Sequence, residues 1–330
     1  MSGIGGMVSF QARFKRALEA RGASVTLDLK DEPYDAVLVI GGTKQLLDLL
    51  RVKRNGIPII QRLNGMNWIH RRRRTGIRHY LRAEWGNWLL STIRSRIAST
   101  VVYQSIFAQE WWERIYGETR APDSVVYNGV DLEEFSPRGS ESRPTDRVRI
   151  LLVEGRLDGG YELGLDHALS LSHHLQKRID LPLELLVVGQ ASERLRKEYA
   201  RDVGAMLNWA GVISSEEIPS IDRSAHALFS ADIHPACPNS VIEAMATGLP
   251  VIAFATGALP EMVQGESGRL VPYGSDPWEL EDPDFGSLAN AAITVFQDQE
   301  RFRAGARAHA VDAFGIERTV QGYLSALGWA

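Results

Sequence analysis

The chain has 330 residues, 44% apolar and 24% charged content, a formal net charge of −4 and one cysteine. That length exceeds the usual single domain, so two are expected, and the mild acidity gives no global pull toward nucleic acid. The lone Cys237 excludes an internal disulfide framework and suits a reducing compartment. No stretch reads as a signal peptide and no run reaches the roughly 18 apolar residues of a membrane helix, so a cytoplasmic location is expected.

The chain opens on SGIGGMVSFQARF (2–14), a glycine turn leading into a helix expected over Phe10–Arg21. A G-x-G-x-x-G register from Gly3 puts Val8 where the third glycine belongs, and no strand precedes it, so the dinucleotide reading is poor. Short, β-branched apolar runs then predict strands at Ser24–Leu29, Ala36–Ile40, Pro58–Gln61, Thr100–Tyr103 and Ser124–Tyr127. A helix is expected over Ile106–Ile115.

Residues 62–99 have the most unusual composition. Arg62, Arg71, Arg72, Arg73, Arg74, Arg78, Arg82, Arg94 and Arg96 stand against the single acid Glu84, with Trp68, Tyr80, Trp85 and Trp88 interleaved. A basic helix carrying aromatic residues suits an anionic lipid surface or an anionic acceptor. The plainer reading is a solvated arginine face with its tryptophans in the core. Nucleic acid is not expected, because the chain is acidic overall and lacks a nucleic-acid fold signature.

The polar stretch SPRGSESRPTDR (136–147) has two prolines and no periodicity and reads as a domain linker. Beyond it, strands are predicted at Arg149–Val153, Leu183–Val188, Met206–Trp209, Ala227–Ser230 and Pro250–Phe254. Amphipathic helices are predicted at Leu163–Arg178 and Phe314–Leu327. Alternation of strand and helix, twice over, means two doubly wound parallel sheets, each with a ligand crevice at the carboxyl ends of its strands.

Two segments of this half carry chemistry. In VEGRLDGGYELGLDHAL (153–169), Arg156 falls at a strand's carboxyl end beside Gly155, Gly159 and Gly160, where a guanidinium can grip phosphate and glycines let backbone come close. A solvated arginine beside a flexible turn fits equally well. In the segment from His234 to Val263, Asn239 and Ser240 are good N-cap types before a helix holding Glu243, and Pro260 suits the first turn of the next helix. A diphosphate could lie on that helix start, with Glu243 accepting hydrogen bonds from two sugar hydroxyls. The plainer reading of Glu243, and of Glu261, is an exposed helix acid. Cys237 has no activating partner in sequence and reads as a small buried residue.

On these residues the chain resembles the retaining glycosyltransferases of family 4, which have the GT-B fold. VVYNGVDLEEFSP (125–137), EGRL (154–157), NWAGVISSEEIPSIDRSAHALFSADIHPA (208–236) and CPNSVIEAMATGLPVIAFATGALPEMVQGESGRLVP (237–272) carry the resemblance. It implies two Rossmann-like domains facing across a cleft, with a carboxyl-terminal helix crossing back to the amino-terminal domain. The implied division is 1–137 for the acceptor-side domain, 138–147 for the linker, 148–312 for the nucleotide-sugar domain and 313–330 for the crossover helix.

The resemblance further implies that Arg156 contacts the diphosphate, that Glu243 holds the ribose, and that backbone around Asn239 and Ser240 meets phosphate and donor sugar. Gly211, Val212 and Ile213 would flank the base, and Gly5 and Gly6 would approach the donor from the other domain. Arg62, Asn64 and Arg71–Arg74 are the candidate acceptor or membrane residues. No metal and no cofactor are implied beyond a nucleotide-diphosphate sugar as substrate. The other partners would be a glycan, lipid-linked or small-molecule acceptor and an anionic membrane surface, with peripheral association at the inner face of the membrane.

The departures are specific. The family's first glutamate, eight positions before Glu243, is Pro235 here, with Asp232 just upstream as a substitute. The lysine five positions after the arginine is Tyr161, and Asn64 stands where many members carry histidine. The first strand of the amino-terminal domain is missing from the pattern. The expected activity is retaining transfer of a hexosyl group from a nucleotide-diphosphate sugar to an acceptor hydroxyl. The alternative is a catalytically degenerate member that binds a nucleotide sugar or a partner without turnover. A sugar-nucleotide epimerase of the same fold is a third reading that no residue selects.

Overall fold

The computed structural model describes residues 6–73, 76–158, 162–203 and 206–329. The chain divides into two compact units, Met1–Gly129 with Ile316–Ala330, and Val130–Gly315.

The first unit begins with α1 (Gly6–Glu19) and continues β1 (Val37–Ile40), α2 (Leu46–Arg54), β2 (Ile59–Leu63), α3 (Ile77–Thr92), β3 (Thr100–Tyr103), α4 (Ile106–Tyr116) and β4 (Asp123–Val125). Its four strands are all parallel and lie in the order β1-β2-β3-β4. Val39, Ile59, Val52 and Ile93 form a core on one face with α2 and the end of α3. Phe10 and Phe14 of α1 pack on the other face with Ile60 and Val102. Local chemistry sets the helix ends: the Ser105 hydroxyl accepts the Ala108 amide at 3.1 Å to cap α4, and Gly117, at φ +75°, ends it.

The segment Ser24–Leu29, expected as a strand, is not one. Its polar side chains bond locally instead: Asp28 accepts the Lys30 amide at 3.0 Å and the Thr26 hydroxyl bonds to Asp31. Such bonds give the backbone an alternative to a sheet ladder.

The second unit runs β5 (Val148–Arg156), α5 (Leu163–Gln176), β6 (Leu183–Gln190), α6 (Glu193–Val203), β7 (Leu207–Gly211), α7 (Ile218–Arg223) and β8 (Ala227–Ser230). It continues α8 (Asn239–Ala246), β9 (Val251–Phe254), α9 (Leu259–Met262), β10 (Gly268–Val271), α10 (Phe285–Gln297) and α11 (Gln299–Ala313). The sheet is parallel with order β10-β9-β8-β5-β6-β7, so the chain leaves β5 toward one edge and later returns to its other side at β8. That reversal makes β5 and β8 the switch point, where open α/β sheets bind ligands. The core is continuous: Ile150, Leu152, Leu185, Val187 and Phe229 are buried under α5 and α10.

The segment 136–147 lies in the second unit and is tied to it. Arg223 of α7 donates to the Ser136 carbonyl at 3.1 Å and to Glu141 at 2.8 Å. The last helix, α12 (Ile316–Leu327), belongs to the first unit. Val320 and Tyr323 join the Phe10–Phe14 core, and Thr319 donates to the Tyr127 carbonyl at 3.0 Å.

Candidate functional site

The carboxyl edge of the second unit's sheet gathers the residues singled out in the sequence. β5 and β6 keep register through Val153↔Val188, then slip, so that Arg156 pairs with Gln190. The slip bulges Glu154 and Gly155 outward. Gly189 permits it, because a Cβ there would come within 2.1 Å of the Glu154 carbonyl oxygen. Beyond the bulge, the Leu157 amide bonds to the Gln190 carbonyl at 2.9 Å, and Asp158 accepts both the Ser192 amide and its hydroxyl at 2.7 and 2.6 Å. These bonds fix the turn that presents Arg156, whose side chain is exposed. Gly159, Gly160 and Tyr161, from the same motif, lie outside the described residues, as does Gly5.

Glu154 is a candidate site residue that the sequence reading did not single out. Burial, and then the neighbouring Asp232 charge, push its carboxyl up to about 8. Asp232, just after β8, is pushed up to about 6 by burial, opposed by a bond from the Ile233 amide. By area Glu154 is half-buried and Asp232 keeps an exposed face, so water screens part of the effect and its direction carries the argument. The signal in the sequence was an acid directly after the apolar run Ile150–Val153.

α8 starts at Asn239, with Pro238 as the N-cap and no side-chain cap bond. Asn239 and Ser240 are thus the first-turn residues rather than the cap. Proline at that point cannot supply the side-chain capping oxygen that Asn or Ser would. Glu243, one turn on, is 7% exposed, which sets aside the exposed-acid reading. Asp222 of α7, only 1% exposed, lies near it: burial and the Glu243 charge raise the Asp222 carboxyl well above its ordinary range, against a bond from Thr247.

Pro235, at the position of the family's first glutamate, is buried. Its carbonyl accepts the Ala258 amide at 2.8 Å. Gly257, at φ +57°, passes so close that a Cβ would lie 2.7 Å from Pro235. The two loops flanking Glu243 are thereby locked together. Glu261 sits in the first turn of α9 with Pro260 at its start. Gly211, at φ +76°, ends β7, and Val212 beside it is exposed. Cys237 is buried as expected.

The candidate residues of the first unit separate into two groups. Arg62 is 1% exposed at the carboxyl end of β2. Its guanidinium lies 3.8 Å over the Phe10 ring and donates to Asn128 at 2.8 Å. The Asn64 carbonyl accepts the Trp112 indole N–H at 2.7 Å. Arg94 is likewise 1% exposed, donating to the Tyr103 hydroxyl at 2.6 Å and the Gly117 carbonyl at 2.8 Å. Neither Arg62 nor Arg94 is part of an exposed basic face. Arg71 forms a two-pronged pair with Glu84, at 2.6 and 2.9 Å, and the buried His70 shares the same carboxylate at 2.7 Å. Chiefly because of Arg71, Glu84 is held down at about 2. Arg72 is exposed and Arg73 half-buried, whereas Arg74 lies outside the described residues. Gly6 opens α1.

Residues 148–298, the span that contains this carboxyl edge, match the family model of the glycosyl transferases group 1. Over these residues the chain is similar to that family. Over 244 residues, 69% of its length, the chain is 26% identical to the GDP-mannose-dependent alpha-(1-6)-phosphatidylinositol dimannoside mannosyltransferase of Mycobacterium tuberculosis. Over 186 residues, 50% of its length, it is 33% identical to the D-inositol 3-phosphate glycosyltransferase of Streptomyces bingchenggensis. The matches span 57% and 39% of those relatives' own lengths.

Solved structures show that this chain has the GT-B fold. WaaG, a glycosyltransferase involved in lipopolysaccharide biosynthesis, superposes with a TM-score of 0.70 at 13% identity, covering 98% of this chain and 96% of WaaG. Anabaena Alr3699/HepE in complex with UDP gives 0.66 at 17%, covering 89% and 79%.

Proposed function

We propose that this chain is a glycosyltransferase that moves a hexosyl group from a nucleotide-diphosphate sugar to an acceptor hydroxyl, with retention of anomeric configuration. The observation that carries the reading is the carboxyl edge of the second unit. There an exposed arginine on a fixed turn follows β5, and a helix start and a buried glutamate follow β8, the two strands at the switch point of the sheet within the residues that match the family model. Arg156 and the first-turn amides of α8 would hold the diphosphate and stabilise the charge that grows on it. Glu243 would accept the ribose hydroxyls. The bond from the sugar's anomeric carbon to phosphate breaks as the bond to the acceptor oxygen forms, and the acceptor's proton passes to the leaving phosphate. No separate base is then required.

GDP-mannose, named for a relative, and UDP-glucose, bound in a HepE structure, are the first donors to test. The experiment measures diphosphate release from each donor, with and without hydroxyl acceptors such as inositol and its phosphates, and reads the product's anomeric configuration by NMR. Acceptor-dependent release with retained configuration supports the proposal. Inversion would overturn the retaining step. Saturable donor binding without release or transfer would favour the degenerate alternative, for which Pro235 in place of a glutamate is the structural motive.

A further inference from the structure

Helix α3 carries apolar residues on its outer side as well as on its inner one, where Ala83 and Leu89 are buried. Its inner side buries Asn87, 1% exposed, whose amide exchanges bonds with Asn67 at 3.0 and 2.8 Å. Its outer side leaves Ile77 77%, Leu81 62%, Trp85 43% and Trp88 55% exposed. These four stand at i, i+4, i+8 and i+11, so they form one stripe rather than scattered apolar residues. At 1.5 Å per residue the stripe is about 16 Å long. Exposed Arg78 and Arg82 run along one border of it, each one position after a stripe residue. On the helix's other flank Glu84 is neutralised by Arg71 and His70, and His79 is half-buried. The outer face therefore offers large apolar groups and uncompensated positive charge.

We propose that this face of α3 seats the protein on an anionic lipid surface, lying in the plane of the headgroups. The stripe supplies apolar area that enters the boundary between headgroups and acyl chains. The tryptophan rings, stacked edge to face at 5.7 Å, belong at headgroup level. Arg78 and Arg82 have long stems that let their guanidinium groups reach lipid phosphates while the stripe is inserted. The pairing of an apolar stripe with a cationic border selects anionic lipid over an uncharged protein surface. No helix among the described residues is long and apolar enough to cross a membrane, so the contact is with the surface. The arginines expected to act together from the sequence reduce to a smaller set, because Arg62 and Arg94 are buried and Arg71 is paired. This inference does not depend on the transfer reaction.

The test is co-sedimentation of the full chain with phosphatidylcholine vesicles, with and without phosphatidylglycerol, at low and high salt. Four proteins are compared: the parent, Trp85→Ala/Trp88→Ala, Arg78→Gln/Arg82→Gln, and Arg194→Gln/Lys197→Gln. The last removes the same charge from exposed positions on α6 of the other unit. Size-exclusion profiles without lipid and circular dichroism accompany each. The parent should bind anionic vesicles and lose binding at high salt, the two α3 variants should bind at least about tenfold more weakly, and the α6 variant should match the parent. Equal binding to neutral and anionic vesicles, or α3 variants that bind like the parent, would overturn the proposal. So would a lipid-free oligomer of the parent that the Trp85→Ala/Trp88→Ala change dissolves, which would assign the stripe to a second copy of the chain.

Discussion

The carbonyl of Pro235 accepts the amide of Ala258 at 2.8 Å, joining the loop before α8 to the loop before α9. This contact occupies the place where a glutamate is expected, and it depends on Gly257. At φ +57° and with no room for a Cβ, Gly257 tolerates no side chain without movement of Pro235. Gly257→Ala should therefore cost about 1–3 kcal/mol of stability. It should also weaken donor binding, because the α8 start moves with Pro235. Thermal unfolding and donor titration check both; an unchanged midpoint would show that the two loops are not locked.

Glu154 and Asp232 make stability depend on pH. Their folded values, about 8 and about 6, lie above their ordinary values of 4.5 and 3.8. Between these limits the folded chain retains protons that the unfolded chain has released. The contribution of these two groups is therefore constant below about pH 4 and is lost as pH rises to about 8. Glu154→Gln should match the parent's thermal midpoint near pH 4 and exceed it near pH 9, to an extent reduced by solvent at this half-buried group. Parallel curves for parent and variant would mean that Glu154 is not held protonated.

Much of the fold was legible because buried parallel strands are apolar on both faces, and nine of the ten expected strands coincide with observed ones to within a few residues. Ser24–Leu29 misled because its apolar residues alternate, while Thr26, Asp28 and Asp31 bond locally. Gly268–Val271 was missed because it starts on a glycine: any Cβ there would meet the Val251 carbonyl at 2.1 Å, so the strand lacks the usual β-branched start. In the candidate site, the places of Arg156 at the end of β5 and of Glu243 in α8 were legible in the sequence, but the raised carboxyl of Glu154 was not. What distinguishes it is the proximity of Asp232 across two neighbouring strands, which no local pattern encodes.

The basic stretch was legible as a composition but not as a surface. Arg94 is a structural residue, and Arg94→Met would leave the Tyr103 hydroxyl and Gly117 carbonyl without their donor. We expect a loss of about 2–4 kcal/mol, since each orphaned buried group costs about 1–3 kcal/mol. Arg82→Gln, on the exposed face, should shift stability by no more than about 0.5 kcal/mol. Urea denaturation of the two variants distinguishes them; equal effects would contradict this division of the arginines.

Glu243→Gln keeps the shape and removes the charge, which weakens acceptance from sugar hydroxyls. Affinity for a ribonucleoside diphosphate should fall about tenfold, while a 2′,3′-dideoxy analogue should bind as it does to the parent. Matched losses for both ligands would point instead to a disturbed packing of Glu243 against Asp222 and would remove Glu243 from the ribose role.

The central claim, that the carboxyl edge of residues 148–298 holds a nucleotide diphosphate, is tested most directly by calorimetric titration of Arg156→Ala against parent. GDP and UDP are compared with guanosine and uridine. A charged hydrogen bond to phosphate is worth about 1.5–3 kcal/mol, so the bound diphosphate should lose about 10- to 150-fold in affinity while its nucleoside is unaffected. Equal losses for diphosphate and nucleoside, or no loss for either, would contradict the account.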